Sequence, residues 1–135
     1  MIADDIIISA AHCFDYIDGA EIGRHDVTDN SESFEVYNIE KSLKHPSYKD
    51  AAGSFDNDFM LMKLWGWSPG RQVVKINANK AIPAYDNEQL HVMGWGVSNT
   101  ATQETAPKLK EVSVDYMTND GKPSFEESYR AYHLF

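Results

Sequence analysis

Histidine and aspartate are the residues of this sequence best suited to moving a proton, and one of each stands in a distinctive setting. His12 lies in Ile8-Ser9-Ala10-Ala11-His12-Cys13, and Asp58 ends the run Asp56-Asn57-Asp58 ahead of Phe59-Met60-Leu61, 46 residues further on. An imidazole titrates near neutral pH, so it can take up a proton and return it. A carboxylate sheltered from water can accept the second ring N–H and stabilise the charged ring. The small Ala10 and Ala11 let the backbone turn closely behind such a ring. Taken singly, these segments are ordinary. A lone histidine is usually a surface or hydrogen-bonded core residue, and an Asp-Asn-Asp run is more often a solvated turn or cap. Gly94-Trp95-Gly96, the third conspicuous segment, reads by itself as a strand bulge with a packing tryptophan.

Composition narrows the partners. The 135 residues suffice for one domain, and 42% hydrophobic with 12% aromatic content can fill a core. Net charge is -9, from 12 Lys+Arg against 21 Asp+Glu, and the basic residues are scattered, so no nucleic-acid partner is expected. The longest aliphatic run, Ile6-Ile7-Ile8, falls far short of the ~20 apolar residues of a membrane helix. No membrane partner is expected, and the start of the chain does not read as a signal peptide. A single cysteine suits either a cytosolic protein or a chain missing its disulfide partners.

Short alternating segments separated by polar turns favour an all-β sandwich or barrel over alternating strands and helices. Residues 5–10 read as a strand, 21–24 begin a second, and 26–33 form a polar turn. Phe34 and Val36 alternate with Glu35, but Tyr37, Ile39, Lys41 and Leu43 continue in shifted phase, which predicts a bulge. Residues 59–64 are apolar at both parities and predict a central strand covered on both sides, with Asp58 at its mouth, screened from water. Residues 90–97 predict a strand broken at Gly94 and Gly96, and Val112, Val114 and Tyr116 mark another. Only the tail has helical spacing, through Ser124, Phe125, Glu127, Tyr129 and Tyr132.

Together, the His12 segment, the Asp58 segment and Gly94-Trp95-Gly96, with His45-Pro46-Ser47-Tyr48 ahead of the aspartate, resemble the trypsin/chymotrypsin-like serine endopeptidases. The resemblance implies a double β-barrel, here an incomplete first barrel with an unpaired edge plus the first strands of the second. Residues 1–117 would form this partial protease domain, and 118–135 a divergent tail. It further implies that His12 is the general acid/base and Asp58 its orienting partner, in the His, Asp, Ser chain order of the group. Gly94-Trp95-Gly96 would be structural, and Cys13 would pair with a cysteine outside these residues. Polypeptide substrates and an extracellular, secreted setting follow from the same resemblance.

The nucleophile is absent. No serine in the chain is followed by glycine, which excludes both the family's Gly-Asp-Ser-Gly-Gly loop and a Gly-x-Ser-x-Gly elbow. Ser9 belongs to a strand. The chain by itself is therefore expected to be inactive, and the competing reading is a non-catalytic, protease-like binding module. No cofactor is expected. Many family members hold calcium in a loop after the histidine, but Arg24 falls where a ligating carboxylate would sit, with Glu32 at a second ligand position. No calcium site is expected there. His25, His45, His91 and His133 read as ordinary loop or strand residues.

Overall fold

The computed structural model describes residues 1–49, 56–79, 81–99 and 101–117. Among them there are eight β-strands and no α-helix. The tail with helical spacing lies outside the described residues. The chain divides into two units: Met1–Arg24 with Ser33–Ile76, and His25–Glu32 with Asn77–Phe135.

The first unit is a four-stranded antiparallel sheet in the order β1-β4-β3-β2, built from β1 (Ile6–Ser9), β2 (Gly19–Ile22), β3 (Glu35–Lys44) and β4 (Met60–Leu64). β4 is central, as its apolar content predicts, but only one of its faces is covered. Met60, Met62 and Leu64 are fully buried. Leu61 points the other way, in register with Ile8 on β1 and Leu43 on β3, and all three are substantially exposed. Strict two-residue alternation assigns the odd and even positions of β4 to different faces whatever their hydrophobicity.

β3 carries a bulge, but not at the phase slip between Val36 and Tyr37, where pairing with β2 is regular. On β3 the pairing steps from Ile39 opposite Leu64 to Lys41 opposite Lys63, leaving Glu40 as the extra residue. Ala11, Met60 and Met62 form the core, against which Ile7, Cys13, Ile17, Ile39 and Tyr48 pack. Met side chains are unbranched and fill such irregular spaces well.

A second anchor of this unit is polar. Ser68, fully buried, donates its hydroxyl to Glu35 Oε2 at 2.6 Å. Tyr37 donates to the same oxygen at 2.6 Å, and Arg71 Nε reaches Glu35 Oε1 at 3.2 Å. These donors, Ser68 first and Tyr37 next, hold the Glu35 carboxyl below its ordinary range. Gly23, at φ 90°, leaves room for the Arg71 guanidinium, whose nitrogens would lie within 2.8 Å of any added Cβ.

In the second unit, β5 (Gln89–Gly94) pairs antiparallel with β8 (Lys110–Asp115), and β6 (Val97–Asn99) with the short β7 (Glu104–Thr105). The strand predicted over 90–97 is thus two strands divided at Trp95 and Gly96. Trp95 Nε1 donates to the His25 carbonyl at 2.9 Å, and the Leu109 N–H reaches the same oxygen at 2.8 Å. The tryptophan therefore ties the 25–32 segment into this unit.

Replacing Met62 by Ala removes a side chain with no exposure from the core and should cost about 2–5 kcal/mol. Leu61→Ala on the exposed face should cost about half as much or less. Urea denaturation of the two variants, compared by midpoint at constant slope, checks this difference.

Candidate functional site

β1 delivers the chain into a single 3-10 turn, Ala11–Cys13, closed by N–H groups of Cys13 on Ala10 O and of Phe14 on Ala11 O, both at 3.2 Å. Ala11 has no exposed surface, so a larger side chain has no space there. On the other side, Asp58 stands two residues ahead of β4. Asn57 takes φ 58°, a left-handed conformation that asparagine tolerates, and its side chain donates to Ser47 O at 3.4 Å. Phe59 follows, its ring 4.5 Å from that of His45 and its carbonyl accepting the His45 N–H at 3.0 Å.

Because Ser9 pairs with Met60, the turn after β1 and the residues before β4 emerge at the same end of the sheet. His12 and Asp58 meet there. His12 Nδ1 lies 2.6 Å from Asp58 Oδ2, and the His12 backbone N–H donates to Asp58 Oδ1 at 2.9 Å. The carboxylate is thus gripped at both oxygens by one residue, which fixes the imidazole relative to its own main chain. The Asp58 side chain is 15% exposed and that of His12 54%.

The hydrogen bond from the His12 side chain holds the Asp58 carboxyl below its ordinary value, helped by the His12 and Ala11 backbone N–H groups and opposed by partial burial. An ionised carboxylate only accepts hydrogen bonds, so Nδ1 carries the proton and Nε2 is the basic nitrogen of the neutral ring. The Ala11 N–H is a contributor that residue types could not reveal, because it depends on the turn and not on the side chain.

Nearby, Lys44 Nζ lies 4.5 Å from the Phe14 ring centroid and 5.7 Å from that of Tyr48. Cys13 is a free thiol, half-buried against the core. The residues assigned to a calcium-type loop have other engagements. Arg24 stacks 3.9 Å over the Phe34 ring and pairs with Glu21 at 3.3 Å. Glu32 accepts backbone N–H groups of His25 at 2.8 Å and Asp26 at 3.0 Å. Among the described residues, no group of three or more His, Cys, Asp or Glu is arranged to hold a metal ion. Of the other histidines, His45 accepts the Ser47 N–H at 3.2 Å and His91 pairs with Glu111 at 2.9 Å, while His133 lies outside the described residues.

The trypsin family model matches residues 1–131, and the chain belongs to that family of serine proteases. It is similar to mast cell protease 3 of Ovis aries, 26% identical over 117 residues, covering 85% of this chain and 45% of that protein. Trypsin-10 of Gadus morhua is 29% identical over 119 residues, covering 88% of this chain and 48% of its own. The trypsin of Squalus acanthias is 34% identical over 98 residues, covering 71% and 41%. The chain thus spans less than half the length of these relatives. No helix among the described residues is long and apolar enough to cross a membrane.

Since Asp58 is ionised more readily folded than unfolded, its contribution to stability is present above the ordinary aspartate pKa of about 3.9 and is lost as pH falls through the lower folded value. Acid melting curves should therefore steepen below about pH 4, and Asp58→Asn should flatten that part of the profile. Long-range proton–nitrogen NMR correlations should report the Nδ1–H tautomer of neutral His12 in the wild type.

Proposed function

We propose that this chain carries the general acid/base half of a serine endopeptidase site, with His12 as the proton carrier and Asp58 as its orienting partner. The observation that supports the reading most strongly is the double attachment of His12 to one ionised carboxylate, through Nδ1 at 2.6 Å and the backbone N–H at 2.9 Å. In such a pair, Nε2 removes the proton of a serine hydroxyl as that oxygen attacks a peptide carbonyl, then delivers it to the departing amine. Asp58 stabilises the imidazolium formed in between. The substrates on this reading are polypeptides, and the setting is extracellular, as for the secreted members of the family.

No serine of the chain is followed by glycine, so on this reading the nucleophile and the oxyanion donors of its loop are not supplied by these residues. Removing the nucleophile from such a triad lowers turnover by about a millionfold, and losing the oxyanion donors removes a further ~100- to 1,000-fold. Protein of this sequence should accordingly show no peptidase activity and no labelling by a serine-directed fluorophosphonate. Specific labelling that disappears in His12→Ala would overturn the assignment of the nucleophile to residues outside this chain.

A further inference from the structure

At the end of β1 and β4 opposite to His12 and Asp58, the chain displays two tryptophans in a way that core packing does not explain. Trp65 is 74% exposed and Trp67 is 67% exposed. The backbone of this segment is anchored on both sides, at Trp65 and at Ser68. The Trp65 N–H donates to Asn38 O at 2.9 Å and the Ser68 N–H to Asp4 O at 2.9 Å, while the Tyr37 hydroxyl, which donates to Glu35, lies 3.0 Å from the Trp67 carbonyl. Ser68 is buried, with its hydroxyl on Glu35. Gly66, at φ 116°, makes the turn, and a Cβ there would sit 3.4 Å from the Tyr37 ring. The two indoles are thus held out on a fixed backbone.

They line a cavity of about 490 Å³ together with Asp5, Glu40, Gly66 and Lys63. Glu40 is the extra residue of the β3 bulge, and a bulge re-aims the side chain it carries. It pairs with Lys63, whose ammonium is also attracted by Asp5. Among the lining side chains two carboxylates stand against one lysine, on a chain whose overall charge is -9, with Lys41 opposite Lys63 on the same face of the sheet. Electron-rich indole faces beside carboxylates suit a cation, above all the planar guanidinium of arginine.

We propose that Trp65, Trp67, Asp5 and Glu40 form a docking site for a basic polypeptide segment, with an arginine or lysine side chain of the partner against the indoles. The length of β4, about 13 Å, separates the indoles from the His12 end of the sheet, so a side chain docked on them does not touch the imidazole. The site does not depend on the proposed catalytic role, and His12→Ala should leave it unchanged.

The test is a titration of the whole chain with an acetylated hexapeptide of alternating glycine and arginine, followed by tryptophan fluorescence and by the three indole N–H signals in NMR. Saturable binding should move the signals of Trp65 and Trp67 and leave that of Trp95 in place. Added salt should weaken it. Trp65→Ala and Trp67→Ala should each weaken it about fivefold. Asp5→Asn should weaken it as well, whereas Lys63→Gln, which removes the competing cation, should tighten it; this pair keeps both indoles and serves where a tryptophan variant does not fold. Three outcomes would overturn the proposal: no saturable shift, equal binding of the peptide with glutamine in place of arginine, or a response to a neutral oligosaccharide in place of the peptide.

Discussion

The antiparallel pairing of β1 with β4 is the constraint on which the first unit rests. Ser9 opposite Met60 and Ile6 opposite Lys63 set which residues share each end of the sheet. At one end the pairing brings the turn after β1 against the residue ahead of β4, and so His12 against Asp58. At the other, Leu64 N–H donates to Asp5 O and Ser68 N–H to Asp4 O, which fastens the Trp65–Ser68 turn to the start of β1. A slip of one residue would exchange the faces of β4, moving Met60, Met62 and Leu64 out of the core while separating the imidazole from its carboxylate. Burial of those three side chains therefore protects the geometry of the polar pair.

Three carboxylates of this acidic chain, Asp26, Glu35 and Asp58, are held below their ordinary range mainly by hydrogen bonds. Asp58 is lowered chiefly by the His12 side chain, Glu35 by the Ser68 and Tyr37 hydroxyls, and Asp26 by the hydroxyl and N–H of Thr28. Arg71 and Lys108 contribute less to Glu35 and Asp26 than the hydroxyls do. At these three acids imidazole, hydroxyl and amide donors outweigh ion pairing. Such donors are also directional, so each acid fixes a local conformation: the turn at His12, the Tyr37–Ser68 junction, the turn at Asp26.

Much of the sheet was legible beforehand. The phase slip between Val36 and Tyr37 announced a bulge, and the structure places its extra residue at Glu40, a few positions later, because register is decided by the partner strand β4 and not by β3 alone. Residues 59–64 announced a central strand, yet their continuous hydrophobicity suggested cover on both faces, while Ile8, Leu61 and Leu43 form an exposed row on one. Hydrophobicity states a preference for burial; whether a layer lies over that face is set elsewhere in the chain. The break at Gly94-Trp95-Gly96 was legible too, but the partner of the Trp95 indole, a carbonyl 70 residues earlier, was not.

By itself, the sequence determined the family and the all-β character and singled out His12 and Asp58 as candidates, because residue type and order along the chain are what motifs record. Tertiary structure alone decided that Asp58 grips its histidine through both the ring and the main chain, that Ala11 lends an N–H to the carboxylate, and that Arg24 lies over Phe34. It alone brought Asp5, Glu40, Lys63 and two tryptophans around one cavity. Those arrangements arise from strand register, a bulge and backbone donors, which join residues far apart in sequence and carry no signature in the side chains themselves.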